Sequence, residues 1–307
     1  GADGNVAFGE DALSGTMTNA ADNNTAVGYQ AGTAITTGHS NVTVGKGAGV
    51  TLSEGNMNTV VGLGALGAAT TSADQNTAIG RAAMSGAIGT EDVNNCVAVG
   101  DGAMSGTLNA GASGSVGVGK SCLAGLTDGA GNVAIGLESL AQHTTGSRNI
   151  AIGTYAMDGT GANDCPTSID NIFIGYDAGG GTWANNDANY NVGIGNYAMD
   201  AAMDGALANT AVGYASATVL SSGDFNTTIG SNAGDTITTG SNNTALGYSA
   251  NVGAAGATNQ TAIGASVTGV NTDNSVTLGN SSVTAVYMNQ DSGATVYCGK
   301  THAEVTT

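Results

Sequence analysis

The sequence is poor in proline, aromatic residues and charged residues, and each shortage excludes a class of protein. One proline and 4% aromatic residues occur among 307 residues. A single proline excludes collagen-like and proline-rich chains, and so few aromatic residues are too few for a conventional large globular core. Charged residues make up only 9%, whereas disordered chains combine high charge with few β-branched residues. We therefore expect an ordered chain with an unusual core.

Basic residues are the scarcest charged group, with five Lys and Arg against 23 Asp and Glu and a net charge of -18. Such a surface repels nucleic-acid phosphates and anionic lipids, so we expect no nucleic-acid partner. Acidity of this kind more often serves solubility than recognition. The sequence has no apolar run of about eighteen residues, which predicts no membrane insertion. No signal peptide is recognisable either.

Four cysteines, Cys96, Cys122, Cys165 and Cys298, have spacings that match no zinc or redox pattern. Cys96 and Cys122 occupy positions of the repeat described next that otherwise hold Asn and Ala. We expect these two to be small fillers with free thiols. Free thiols suit assembly in a reducing cytosol better than a secreted disulfide scaffold.

Glycine, with 52 residues, marks an internal repeat that covers nearly the whole chain. Residues 24–40 read Asn-Thr-Ala-Val-Gly-Tyr-Gln-Ala-Gly-Thr-Ala-Ile-Thr-Thr-Gly-His-Ser, and the pattern starts again at Asn41 and recurs closely at 132–148 and 226–242. We name the glycine that ends each Asn-Thr-Ala-Val-Gly stretch the anchor glycine. The anchors are Gly9, Gly28, Gly45, Gly62, Gly80, Gly100, Gly119, Gly136, Gly153, Gly175, Gly195, Gly213, Gly230, Gly247, Gly264 and Gly279. A fixed period of this length predicts a solenoid.

Alternation before each anchor predicts a strand. Three residues before it stands Val, Ile or Thr, and one residue before it stands Val, Ile or Leu, except for Phe8. Asn lies four residues before twelve of the sixteen anchors, the exceptions being Cys96, Ser115, Gln260 and Ser275. Successive side chains in a strand point to opposite faces. We expect the aliphatic face, including Ile152, to fill the coil interior, and the Asn, Ala and Gly face to let another sheet or chain approach.

The repeat therefore predicts an all-β fold, a parallel β-solenoid of about sixteen coils. Each coil would contain two short strands, bent at the anchor glycine and closed by a Thr, Gly, Ser and Asn turn. We divide the chain into a repeat domain at 1–279 and a C-terminal β segment at 280–307. The spacing of strands in a sheet, about 4.8 Å, gives a rod of roughly 75 Å.

Residues that would indicate catalysis or metal binding are missing. Three histidines, His39, His143 and His302, lie far apart, with no Ser or Cys at a suggestive spacing. Pairs of acids of the glycosidase type are not evident. A calcium site requires several converging acids, and the Gly-Gly-x-Gly-x-Asp calcium repeat is absent. We expect no enzymatic activity, no cofactor and no metal.

Two longer loops, at 158–170 and 179–190, are the places where a ligand site is expected, because insertions in solenoids often lie on a binding face. The second loop contains the only tryptophan, Trp183, followed by Asp187 and Tyr190. Aromatic faces beside a carboxylate suit sugar rings, so these three residues form a candidate glycan site. The alternative is that Trp183 folds back over the coil end or against a neighbouring chain. We favour the alternative, since Trp is usually largely buried.

Exposed tyrosines are expected directly after some of the anchors, where the residue type varies from coil to coil. Tyr29, Tyr176, Tyr214 and Tyr248 occupy this position. They are not in successive units, so the sequence predicts isolated surface tyrosines and no continuous aromatic ladder.

The repeat Asn-Thr-Ala-Val-Gly-x-x-Ala resembles the left-handed parallel β-roll repeats in head domains of trimeric autotransporter adhesins. It also resembles the longer repeats of bacteriophage tail fibres. The match covers about residues 5–279. Residues 275–287, Ser-Val-Thr-Leu-Gly-Asn-Ser-Ser-Val-Thr-Ala-Val-Tyr, are similar to the segment that precedes the self-cleaving chaperone of phage tail fibres and spikes. The period exceeds fourteen and no coiled-coil stalk or membrane anchor is visible, unlike in the adhesins.

This resemblance implies a fibre that attaches to a host cell through a surface glycan or protein. It further implies a virion location after assembly in the host cytoplasm, and removal of a chaperone by cleavage after about Thr307. Together with the small Ala and Gly face and the thin core, it predicts a parallel homotrimer. The alternatives are a bacterial trimeric adhesin at the cell surface, an ice-binding solenoid and a polysaccharide-degrading spike. Ice binding requires a regular Thr array, and nine units have Val or Ile where that array needs Thr.

Overall fold

The computed structural model describes residues 2–68, 73–88, 93–160, 167–184 and 186–286. Sixteen short strands form one parallel sheet, and each strand pairs with the next in chain order. Consecutive strands pair in register, as Ile150, Ala151 and Ile152 do with Ile172, Phe173 and Ile174. This order is that of a solenoid, so the predicted all-β parallel β-solenoid is confirmed.

Each strand ends one residue before an anchor glycine. The strands are β1 Val6–Phe8, β2 Thr25–Val27, β3 Val42–Val44, β4 Thr59–Val61, β5 Thr77–Ile79, β6 Val97–Val99, β7 Val116–Val118, β8 Val133–Ile135, β9 Ile150–Ile152, β10 Ile172–Ile174, β11 Val192–Ile194, β12 Thr210–Val212, β13 Thr227–Ile229, β14 Thr244–Leu246, β15 Gln260–Ile263 and β16 Ser275–Leu278. One turn of 3-10 helix, Ala110–Ala112, lies between β6 and β7.

The prediction of two strands in each coil is wrong, because the chain continues past the anchor glycine as a turn. From Gly9 to Gly230 the residues two and four positions after each anchor adopt left-handed backbone conformations, as at Tyr155 (φ 60) and Met157 (φ 51). Left-handed residues break the extended geometry that a strand requires. Outside the main sheet the described residues contain isolated parallel bridges, such as Ser241 with Thr258.

The predicted faces of the strands are reversed. From β2 to β15 the residue two positions before the anchor is buried, whereas the residues on either side of it are half-buried or exposed. Ala151 is fully buried, and Ile152, predicted to be interior, is half-buried on the outer face. The larger core side chains come from the turns instead, among them Leu66, Met84 and Leu126. Because these fill much of the narrow interior, most strands add only a small residue to it, and Val60 and Phe173 are the larger exceptions.

Buried asparagines form a ladder along the interior, four residues before the anchors. The Oδ1 atom of Asn209 accepts hydrogen bonds from the backbone N–H (2.8 Å) and the Nδ2 atom (3.0 Å) of Asn226. Nδ2 of Asn226 also donates to the carbonyl of Gly240 across the coil. Asn243 repeats the pattern on Asn226. Each of these amides joins its own coil to the neighbouring one, so the buried Asn226 side chain has partners for both its oxygen and its nitrogen.

The anchor glycines stack on one another and allow the coils to approach. All of them except Gly279 have φ between 130 and 146, which is a range that L side chains rarely adopt. A Cβ atom at Gly45 would lie 2.6 Å from the carbonyl oxygen of Gly62 in the next coil. The same overlap with the following anchor occurs at the predicted repeat glycines, namely Gly28, Gly45, Gly62, Gly80, Gly136, Gly153, Gly230 and Gly247.

After β16 the described chain contains a turn and no further strand up to residue 286. Within the described residues the last strand therefore ends at Leu278, and residues 280–286 of the predicted C-terminal β segment contain no strand. The rest of the predicted C-terminal β segment, at 287–307, lies outside the described residues.

We expect Gly45→Ala to destabilise the protein strongly and Gly47→Ala to do so mildly. Gly47 also has a positive φ (66), but a Cβ there would meet no atom within 4 Å. A left-handed alanine costs about 1–2 kcal/mol, whereas Gly45→Ala adds backbone overlap and should cost about 3 kcal/mol or more. Thermal and denaturant unfolding measure both changes. Equal losses for the two variants would show that contact between anchors does not limit the stacking of the coils.

Candidate functional site

Trp183 is buried in the coil interior, in agreement with the favoured alternative from the sequence. Its ring packs edge-to-face on Phe173, with the centroids 5.9 Å apart, and its Nε1–H donates to the carbonyl of Gly179 at 3.0 Å. Phe173 takes a position that holds Ala in most strands, and the glycines at 179 and 193 make room for it. A Cβ at Gly179 would lie 2.7 Å from the Phe173 ring. Trp183 therefore offers no face to a sugar.

The other members of the predicted glycan site lie apart from the Trp183 ring. Asp187 is half-buried and accepts hydrogen bonds from the backbone and hydroxyl of Thr167. Tyr190 is 53% exposed and stands one coil from the Arg148 and Asp170 ion pair. The three candidates do not converge on one surface. Asn185, the first residue after Trp183 with an amide side chain, lies outside the described residues.

A continuous ladder of four tyrosines runs along the surface of four successive coils, contrary to the prediction of isolated rings. Tyr155, Tyr176, Tyr197 and Tyr214 stack edge-to-face, with centroid separations of 6.0, 5.4 and 5.8 Å. Tyr176 and Tyr214 are 41% and 55% exposed, and the other two are half-buried. We call these residues the tyrosine ladder.

Sequence reasoning missed the tyrosine ladder because its rings come from two positions of the repeat. Tyr176 and Tyr214 follow their anchors directly, whereas Tyr155 and Tyr197 are two residues past theirs. The residues two past an anchor have left-handed backbone (φ 60 at both tyrosines). This conformation brings their rings beside those of the neighbouring coils. Four tyrosines at one or two residues past consecutive anchors was the signal available.

Three carboxylates, Asp158, Asp177 and Asp200, accompany the tyrosine ladder. Burial raises the pKa of Asp200 to about 6, and repulsion from Asp177 and Asp158 adds to the shift. Burial and then repulsion from Asp177 likewise raise the pKa of Asp158 to about 6. The pKa of Tyr197 is raised by burial and by neighbours that include Asp177 and Asp200. The carboxylates therefore interact electrostatically with the tyrosine ladder. We call Asp158, Asp177 and Asp200 the acidic flank.

The stretch of chain that contains the acidic flank is free of basic residues. Residues 149–299 contain no Lys, Arg or His. Both ion pairs found in the described ranges, Arg81 with Asp101 and Arg148 with Asp170, involve cations from earlier coils. Neither ion pair includes Asp158, Asp177 or Asp200, so no salt bridge within the described residues neutralises these three carboxylates.

His143, the one buried histidine among the described residues, is part of the core and not a reactive group. Its Nδ1 atom faces the Thr160 hydroxyl at 3.1 Å, and Thr160 donates to the carbonyl of Met157. Nε2 faces Nδ2 of Asn149 at 3.2 Å and accepts from it, which assigns the proton to Nδ1. Burial lowers the pKa of His143 to about 4, so the ring is neutral at pH 7.

Cys96 and Cys122 are free and buried, as predicted, while Cys165 and Cys298 lie outside the described residues. Burial raises the pKa of both thiols, that of Cys122 to about 12. Within the part of the chain that the structure describes, no three His, Cys, Asp or Glu residues form a possible metal site, and no pocket is found. No helix in these ranges has the length and apolar character needed to cross a membrane.

The outer face of the sheet carries a continuous strip of uncharged, mostly apolar side chains. It consists of two rows, the residues three and one positions before the anchors, and contains only Val, Ile, Leu, Thr and Phe8. None of them is fully buried, and Ile194, Ile229 and Leu246 are 37%, 40% and 41% exposed. We call this surface the outer apolar face. Large contiguous apolar patches mark interaction sites in soluble proteins.

Comparison of the chain with protein-family models, with curated proteins and with solved structures finds no match.

We expect Asp200→Asn to stabilise the protein above pH 6 and to have little effect near pH 4. The folded-state pKa of about 6 exceeds the ordinary value of 3.8, so stability falls as the pH rises between these values, and the amide avoids this loss. After allowance for solvent screening the gain should be roughly 1 kcal/mol. Unfolding measured from pH 4 to 8 tests it, with the exposed Asp235→Asn as control. The lowered pKa of His143 also makes stability depend on pH. This contribution is the same in the variant and in the unchanged chain, so it cancels in the difference between them. A gain that does not vary with pH would rule out the charge effect.

Proposed function

We propose that this chain is the shaft of a trimeric attachment fibre, as in the tail fibres or spikes of bacteriophages. The outer apolar face is the observation that carries the proposal. A single chain would leave this uncharged strip in water along all sixteen coils, and association of parallel copies would cover it. The left-handed coil, the threefold number and the viral location are those that the sequence resemblance implies.

The other properties of the rod agree with a structural role in attachment. A solenoid gains length by adding coils, and each coil contacts its neighbours only. The remaining surface is acidic, with a net charge of -18, which keeps a long particle soluble and separate. The trimer now rests on a different face from the one that the sequence indicated, since the Ala and Asn face is interior.

Ice binding is a second candidate, and the reversed faces favour it more than the sequence pattern does. Thr210, Thr227, Thr244 and Thr261 pair directly across four successive strands. They point outward beside a row of Val, Ile and Leu, so a short regular row of Thr exists. Association through the outer apolar face would cover this array, so the two functions exclude each other. A monomeric chain that produces thermal hysteresis, a gap between the melting and freezing temperatures of ice, would favour ice binding over the fibre.

We expect light scattering to give three times the chain mass of 29.5 kDa. Ile229→Lys with Leu246→Lys should lower the mass to that of the monomer, because repeated ammonium groups would be buried without partners. The matched control is Ser231→Lys with Tyr248→Lys, which adds the same charges two residues further along each coil and should remain trimeric. A mass of 29.5 kDa for the unchanged chain contradicts the trimer, and a trimeric Ile229 and Leu246 variant contradicts this interface.

The attachment function predicts saturable binding of fluorescently labelled rods to cells of a susceptible bacterium, displaced by unlabelled rods. Antibodies raised against the chain should label fibres on phage particles that infect the same cells. The proposal would be contradicted if the rods bound no isolate in a broad panel of bacteria and the antibodies stained no phage particles. The flanking reading frame separates the two attachment classes: a self-cleaving chaperone after Thr307 favours a phage fibre, and a membrane anchor favours a bacterial adhesin.

A further inference from the structure

The tyrosine ladder is a linear surface feature that the stability of the coils does not require. Corresponding positions of other coils hold Lys46, Leu63 or Asp101 without loss of the strand pairing. Its four rings follow the rod axis at intervals of 5.4 to 6.0 Å. A row of rings with this spacing suits an extended ligand whose apolar surfaces also recur along a line.

The acidic flank adds a requirement for positive charge. Asp177 follows Tyr176 directly in the chain, and its carboxylate lies against Gly180. Asp177 and Asp200 both act on Tyr197, and Asp177 and Asp158 both act on Asp200. A neutral ligand would leave this repulsion unchanged, and an anionic ligand would increase it. Bound cations would relieve it, and tyrosine faces attract cations as well.

We propose that the tyrosine ladder and the acidic flank bind a linear oligosaccharide whose sugars carry free amino groups. The apolar C–H faces of the pyranose rings pack on the tyrosines, and the ammonium groups lie beside Asp158, Asp177 and Asp200. This inference deepens the attachment function proposed above and rests on it. The ladder lies past the anchors, in rows other than the outer apolar face, so trimer contacts and glycan contacts use different residues.

Calorimetric titration with a glucosamine tetramer tests the inference, at a pH just above the pKa values of Asp158 and Asp200. The N-acetylglucosamine tetramer is the matched probe, because acetylation removes the charge and keeps the chain of rings. We expect the amino form to bind at least about tenfold more tightly, and added salt to weaken it.

Two variants separate the aromatic and acidic contributions. Tyr197→Ala, and Asp177→Asn combined with Asp200→Asn, should each weaken binding of the amino tetramer about tenfold. Tyr248→Ala and Asp235→Asn change exposed residues outside the site and should bind as the unchanged protein does. The mass and the circular dichroism of each variant confirm that the fold is retained.

Several results would overturn the inference. These are no binding of the amino tetramer, equal binding of the acetylated tetramer, or binding that Tyr197→Ala leaves unchanged. Equal affinity for spermine, also unaffected by Tyr197→Ala, would show attraction of any polycation and would reject a sugar site. The attachment proposal fails separately: rods that bind cells but not the tetramer refute only this site, and rods that bind the tetramer but no cells refute attachment.

Discussion

The close approach of successive coils at the anchor glycines is the constraint on which the rest of the structure depends. A Cβ atom at almost any anchor would overlap the backbone of the next one, as at Gly45 against Gly62. Because the backbones are this close, a strand cannot accommodate an extra residue. Variation in the length of the units is therefore confined to the turns. The strands therefore remain in register although the units vary from 15 to 22 residues.

The asparagine ladder lets amide side chains lie inside this closely stacked interior with their hydrogen bonds satisfied. Oδ1 of Asn209 serves two donors of Asn226, and the amide of Asn226 reaches the opposite wall of its own coil. Cys96 and Ser115 interrupt the ladder, and hydrogen bonds persist there: the Cys96 amide donates to Asn76, and the Ser115 hydroxyl donates to Gly129. Because amides and alanines line the inner wall, the aliphatic residues of the strands remain outside, where they are available for association.

The solenoid, the strand positions and the anchors could be predicted from the sequence, because a repeat displays them sixteen times. Alternation alone did not predict which face is interior, because it shows which residues share a face but not which face points inward. The constancy of Asn four residues before the anchors was a usable signal: a buried amide that bonds its own copy in the next coil tolerates little change. Burial of Trp183 could be predicted from its size. The tyrosine ladder depends on left-handed backbone at Tyr155 and Tyr197, which the presence of a tyrosine does not indicate.

Amide hydrogen exchange resolved to single residues tests most directly whether the asparagine ladder holds the coils together. The backbone N–H groups of Asn209, Asn226 and Asn243 donate to buried side-chain oxygens of the preceding coil. We predict that these amides exchange as slowly as those of the neighbouring strands, and far more slowly than exposed turn amides. Exchange of the asparagine amides at the rate of the exposed turns would contradict it, because the interior would then be open to water.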